Sequence, residues 1–390
     1  MKVTNTYDVI IIGGGIAGAS TAFHLSERGC RVLMLERRFV AAEATGRSSG
    51  LVRMHYDLEA ESRLAWASFD YFRNWRERVA GECGFTCTGF LQIVPPAHTE
   101  QLRANVAMHQ RIGILSLLVT ADDVKRLAPG LVTDDFEFAA YEPGSGYADP
   151  VSTTNSLMAA ARERGARLMQ DCPVTGIKTA GGRVTGVETR RGEFAAPVIL
   201  DAAGAWAARV GRMADVELPI NTWWHEVAFI RRPPALPTHP TVIDDSLWMY
   251  FRPETGGLTL VALEDNSQFG EPPDSDADHI TPGFVERAVD RLCQRVPGMD
   301  AGSLKTAYRG CDGITPDQRP ILDQAGPDGF YVACGFSGTG FKLGPAVGAC
   351  MAELILDGRA TTVDIACFTL RRFDAGKLLQ GEHAYQTSWH

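Results

Sequence analysis

With 390 residues the chain is long enough for a large core and for more than one ordinary domain. A composition of 45% hydrophobic and 22% charged residues excludes disorder for the bulk of it, and a formal net charge of −9 argues against nucleic acid and anionic membrane surfaces as partners. Nine widely spaced cysteines, an odd number, fit a reducing cytoplasm better than a disulfide framework. Cys83 and Cys87 lie close together, but no second pair of Cys or His completes a zinc site nearby, so no metal is expected. Met1 to Asp8 lacks the apolar core of a signal peptide. No apolar run reaches the roughly 18 residues of a membrane span.

Val9 to Ile12 is a continuous β-branched run and reads as a buried parallel strand. Gly13-Gly14-Gly15-Ile16-Ala17-Gly18 follows, then a helix over Ala19 to Arg28 closed by Gly29, then a strand over Arg31 to Leu35 that ends at Glu36. In that order the glycines have separate tasks: Gly13 permits the tight turn, Gly15 lets a pyrophosphate approach the backbone, and Gly18 lets helix and strand pack closely. The helix N-terminus offers N–H groups to phosphates, and Glu36 stands where an acid accepts hydrogen bonds from a ribose. The acid disfavours NADP and leaves FAD and NAD open.

Further along, Ala44-Thr45-Gly46-Arg47-Ser48-Ser49-Gly50 suits a backbone running beside a long cofactor. Val198 to Leu200, followed by Asp201-Ala202-Ala203-Gly204-Ala205-Trp206, is a buried strand ending in small residues. Thr222 to Ile230, Leu247 to Arg252 and Leu258 to Leu263 read as strands separated by turns such as Arg232-Pro233-Pro234. Trp223-Trp224-His225 either walls a site or packs within its strand. Glu271 to Asp278 reads as an exposed acidic loop. Gly344-Pro345 opens a helix over Ala346 to Leu356, with proline at its first position.

These pieces, together with Thr315-Pro316-Asp317 and Gly335-Phe336-Ser337-Gly338-Thr339-Gly340-Phe341-Lys342, resemble the FAD-dependent D-amino-acid, glycine and sarcosine oxidases, the last block most of all monomeric sarcosine oxidase. The resemblance implies an α/β (α+β overall) architecture: a Rossmann-like FAD-binding domain and a substrate domain on a mostly antiparallel sheet. It divides the chain into 1–80, 150–220 and 305–390 for FAD, and 81–149 and 221–304 for substrate. It implies FAD contacts from Gly13, Gly15, Ile16, Ala17, Gly18, Glu36, Arg37, Gly46, Arg47, Ser48, Ser49, Val174, Ala203, Gly204, Trp206, Gly310, Gly338, Thr339, Gly340, Phe341 and Lys342.

The reaction so implied is oxidation of a C–N bond beside a carboxylate, with hydride passing to flavin N5 and hydrolysis of the imine. Arg53 and Lys342 match the cations that hold the substrate carboxylate, and Tyr250 matches a tyrosine of the substrate pocket. His55 and His225 are candidate proton acceptors, with structural roles as the alternative.

Two departures stand out. Cys311 sits one residue nearer the Thr-Pro-Asp block than the family's flavin-linking cysteine, and Gly310 holds the matching position, which favours noncovalent FAD. Thr259 aligns where those oxidases carry an oxygen-activating lysine, which favours a dehydrogenase with another electron acceptor. A 2-hydroxy acid as substrate, and a flavin-binding subunit of a larger redox complex, are the competing readings.

Overall fold

The computed structural model describes residues 6–264, 268–277 and 279–385. Part of the reading of the chain start, and the Asp278 end of the acidic loop, lie outside them. Strand β1 (Val9–Ile12), helix α1 (Ile16–Glu27) and strand β2 (Val32–Leu35) form where the apolar run, the glycine turn and the next apolar run place them. Helix α1 starts three residues earlier than the glycine turn suggests, because Gly15 serves as its N-cap and Ile16 to Gly18 are already helical. Gly29 ends it at φ +80°.

β1 lies at the heart of a six-stranded sheet. The order is Ile321–Gln324, Phe330–Cys334, Val198–Asp201, β1, β2, Arg167–Met169, parallel throughout except for the first strand. Ile12 pairs in register with both Leu35 and Asp201, so three strands end together and open one crevice at their carboxyl ends. Every residue of α1 from Ile16 to Ser26 is buried. The helix is covered by the sheet and by helices Pro150–Glu163 and Gly340–Asp357. A Cβ on Gly348 would lie 2.1 Å from Ser20 Oγ, which shows how closely α1 and the last helix cross.

The second, nine-stranded sheet is antiparallel except where Thr241–Asp244 runs parallel to Phe90–Ile93. Asn221–Arg231, Met249–Glu254 and Leu258–Leu263 are central to it, close to the expected spans, except that Leu247 and Trp248 turn before their strand begins. Ser303–Ile314 belongs to this sheet as well, paired along the whole of Asn221–Arg231. All nine cysteines are free. No helix among the described residues is long and apolar enough to cross a membrane.

One expected boundary is corrected. The last long helix, hereafter the last helix, spans Gly340–Asp357 and carries Pro345 inside it instead of at its start; among the described residues only the single α-helical turn Arg371–Asp374 follows it. Proline has no N–H to give and disturbs the turn before it. Ser68, from helix α2 (Glu59–Arg73), repairs that turn: its hydroxyl donates to Leu343 O (2.9 Å) and accepts from Ala346 N–H (2.9 Å). Lys342 therefore stands in the first helical turn, held to α2.

A buried ion cluster ties the same helix to the Thr315-Pro316-Asp317 block. Arg319 donates to Asp57 (2.7 Å) and Glu61 (2.5 Å), all three nearly inaccessible, and Arg372 donates to Asp317 (2.7 Å). Removing one member of such a cluster strands buried charge. Arg319→Met is expected to destabilise the protein by about 3–5 kcal/mol in urea unfolding; a variant as stable as the wild type would show that the cluster carries no net stability.

Candidate active site

The crevice at the strand ends continues into a long cleft of about 470 Å³. Its first wall is the glycine turn. Gly13 has φ +112°, and a Cβ there would sit 2.4 Å from Ala202 O; a Cβ on Gly18 would sit 2.1 Å from Gly13 O. Thr45 Oγ1 accepts from Ile16 N–H at 3.1 Å and fastens the segment after β2 across the helix N-terminus. Glu36 is buried and accepts from Gly14 N–H (2.7 Å) and Arg38 N–H (2.7 Å). A carboxylate has further lone pairs, so it remains able to accept from a ribose.

Arg37 stacks over Trp206 at 3.7 Å and pairs with Glu43 and Asp274. Asp274 also accepts from Trp206 Nε1 (2.9 Å), and Glu271 pairs with Arg309 (2.8 Å). The acidic stretch keeps exposed acids, as expected, but is pinned as a strap, because Asp274 meets Arg37 and Arg209 and Glu271 meets Arg309.

Of the expected residues, Gly13, Gly15, Ile16, Ala17, Glu36, Arg37, Arg47, Ser48, Ser49, Val174, Ala203, Gly204, Trp206, Gly310, Gly338, Thr339, Gly340, Phe341, Lys342, Arg53 and Tyr250 all border the cleft. Gly18 and Gly46 do not; each is pressed against a carbonyl, Gly13 O and Ala41 O respectively, and shapes the turns from behind.

The far end carries the charges. Arg53 is buried with its guanidinium 4.3 Å above the Tyr56 ring. Lys342 is buried beside it; desolvation, then the charge of Arg53, lowers its pKa to about 7. Tyr250 OH lies 2.8 Å from His225 Nε2 with the rings stacked, and burial lowers His225 to about 4, leaving it neutral. Trp223 and His225 border the cleft, whereas Trp224 points away beneath Arg309 at 4.1 Å, the alternation of a strand.

Several side chains lie elsewhere than the sequence suggests. Thr259 is buried on the opposite face of its strand, with Oγ1 2.9 Å from His239 Nε2, so it bears on nothing in the cleft. His55 sits behind Arg53, with Nε2 2.8 Å from Tyr385 OH, outside the cleft. His55, His109 and Glu142 offer ligand atoms within 4.8 Å of one another, but the charge of Arg53 bears on all three and opposes a further cation among them. Cys311 borders the cleft but packs with Ala205 and Trp224, and burial pushes its thiol up to about 12.

Three cleft acids escaped the sequence reading, and Glu43 among them pairs with Arg37 and Arg38. Asp312 accepts from Gly338 N–H (2.7 Å) and Gly313 N–H (2.8 Å), bracing the turn before the last helix. Glu264 ends an apolar strand at the cation end and is buried; a charged residue closing a run as apolar as Leu260 to Leu263 was the signal for it.

A glycine cradle, a helix N-terminus and a long cleft ending in buried cations define a dinucleotide-dependent oxidoreductase. The family model for FAD dependent oxidoreductases matches residues 8–354, and the chain belongs to that family. Its cofactor is FAD, which the cradle, Glu36 and the length of the cleft fit. The chain is 30% identical over 387 residues to human mitochondrial sarcosine dehydrogenase, covering 95% of this chain and 42% of that one. It thus spans less than half the length of that relative. It is 27% identical to sarcosine oxidase subunit beta of Arthrobacter sp, over 97% of this chain and 93% of the other. The solved structure of L-proline dehydrogenase from P. horikoshii superposes with a TM-score of 0.90 at 25% identity, covering 97% of this chain and all of that one.

Glu36→Gln keeps the side chain's shape but removes the charged acceptor for two backbone N–H groups. Hydrogen bonds to a charged group contribute about 1.5–3 kcal/mol, so FAD is expected to bind roughly 10- to 100-fold more weakly. Flavin titration of the apoprotein measures this, and unchanged affinity would remove Glu36 from the cofactor site.

Proposed function

We propose that this protein oxidises the C–N bond of a small N-methylated or D-amino acid, sarcosine-like in size. The observation that carries the reading is the pair of buried cations, Arg53 and Lys342, at the end of the cleft away from the glycine turn. A desolvated fork of N–H donors beside an ammonium is suited to a carboxylate, which relieves the repulsion between the two. Tyr250 and His225, hydrogen-bonded to each other, form the adjoining wall and limit the size of the group behind the amine.

The stretches 1–80, 150–220 and 305–390 hold FAD, and 81–149 with 221–304 build the substrate side, except that the strand Ser303–Ile314 pairs into the substrate sheet and brings Gly310 to the cleft from there. Bound FAD supplies the hydride acceptor. The protein places the substrate carbon, keeps water from the reacting end and sets the amine's protonation. FAD is held noncovalently: Cys311 packs with Ala205 and Trp224, burial raises its thiol, and Gly310, at the family's linking position, has no side chain to link. The relatives include both a dehydrogenase and an oxidase subunit, so the final acceptor is either O2 or another electron acceptor, and the Arthrobacter relative supports assembly with further subunits as a second reading.

Arg53→Leu should weaken binding of simple carboxylates such as propionate, followed by perturbation of the flavin spectrum, by about 10- to 100-fold, the 1.5–3 kcal/mol of a hydrogen bond to a charged group. It should slow flavin reduction by amino acids at least as much. Lys342→Met should weaken propionate most below pH 7, where the lysine is protonated before the ligand arrives. Equal carboxylate affinity in wild type and both variants would sink the assignment.

A further inference from the structure

We infer that Glu264 is the catalytic proton acceptor of this site: its carboxylate takes the proton of the substrate ammonium while Arg53 and Lys342 hold the substrate carboxylate. The inference rests on the functional reading above.

Four acids border the cleft, Glu36, Glu43, Asp312 and Glu264. Glu36 is engaged at the glycine turn, Glu43 pairs with Arg37 and Arg38 near the mouth, and Asp312 braces the backbone at Gly313 and Gly338. Asp312 also feels the charge of Lys342 but is held by those two backbone N–H groups, whereas Glu264, buried at the cation end, feels both Arg53 and Lys342. It also borders a small inner cavity shared with His55, Gln92 and Tyr385, a polar space behind the cleft.

An amino acid brings two charges into this desolvated end. The cations answer its carboxylate; its ammonium needs an acceptor as well, because an unanswered buried charge is costly. On Glu264 the step balances. An N–H bond breaks, its electron pair stays on nitrogen, an O–H bond forms on the carboxylate, and the two opposite charges cancel. The amine then holds the lone pair it needs as hydride leaves the neighbouring carbon.

Burial raises Glu264 to about 8, opposed by Arg53 and Lys342 and assisted by Asp244. Asp245, held by Gln92 at 3.0 Å, is raised by burial and by the charge of Glu264. An acceptor tuned near working pH is efficient. The other base on the cleft wall, His225, stands near 4 with its Nε2 engaged by Tyr250, a base weaker by roughly 10⁴. Lys342 is claimed by the carboxylate, and His55, lowered well below its ordinary value, lines the inner cavity and not the cleft.

The test compares wild-type, Glu264→Gln and Glu264→Asp holoenzymes. Anaerobic stopped-flow follows flavin reduction by sarcosine, or by the N-methyl amino acid that reduces the wild type fastest. The wild-type rate should rise with pH through about 8, as Glu264 ionises. In Glu264→Gln that limb should move up toward the amine's own pKa, with a loss of tenfold or more at pH 7.5, and Glu264→Asp should restore a limb. A second readout needs no turnover: flavin-perturbation affinities for glycine betaine and its uncharged isostere 3,3-dimethylbutanoate. The wild type should favour the cation increasingly as pH passes 8, and Glu264→Gln should not. A Glu264→Gln enzyme with normal FAD content, an unmoved limb and unchanged ligand preference overturns the inference alone. Should that variant fail to fold, a wild type without either pH dependence overturns it. A wild type that no amino acid reduces overturns the functional reading and this inference together.

Discussion

The cleft depends on how closely α1 approaches the end of β1. Gly18 rests against the carbonyl of Gly13, and Gly13 in turn lies against the carbonyl of Ala202. Three backbone segments meet there with no room for a single Cβ. That contact aims the helix N-terminus into the crevice where β1, β2 and Val198–Asp201 end together. Glu36 and Thr45 then fasten the surrounding turns to it through Gly14 and Ile16. A helix buried from its first residue to its last turn, as α1 is from Ile16 to Ser26, has no freedom to shift and reopen the gap.

At the opposite end the governing physics is desolvated charge. Arg53 comes from the segment just after the short strand Leu51–Val52 and Lys342 from the first turn of the long helix Gly340–Asp357; burial and the charge of Arg53 lower Lys342, opposed by Glu61, Asp312 and Glu264. Both supports are rigid. Ser68 repairs the proline-disturbed turn beside Lys342, and the Arg319 cluster fixes the adjoining block to α2. The acids are separated by task. Asp57 and Glu61 are committed to Arg319, Asp312 to backbone, and Glu264 stays at the cleft. A mixed-sign, low-dielectric pocket of this kind discriminates by charge pattern first and by shape second.

The two-residue repeat of the larger sheet decides which side chains reach that pocket. On Asn221–Arg231 it puts Trp223 and His225 on the cleft and Trp224 beneath Arg309. On Leu258–Leu263 it turns Thr259 toward His239, while Glu264, five residues on and of opposite parity, comes to the cleft. An alignment that slips by one residue in such strands exchanges the two faces, which is why Thr259 carried a meaning from sequence that its position removes.

Local chemistry made much of this protein legible in advance. The apolar run, glycine turn and following acid specify a strand, a turn and a helix within about 30 residues, where covalent connection leaves few alternatives, so the cradle and the cofactor class were readable. Arg53, Tyr250 and the Gly338–Lys342 block pointed to the same cleft through resemblance. What sequence could not supply were contacts between distant segments: the start of the last helix, shifted because Ser68 compensates for Pro345; the strap of Glu271 and Asp274 over Arg309 and Arg37; and the meeting of Glu264 with Arg53 and Lys342. Turn geometry is set by neighbours along the chain, whereas burial and charge proximity are properties of segments hundreds of residues apart that only the folded arrangement brings together.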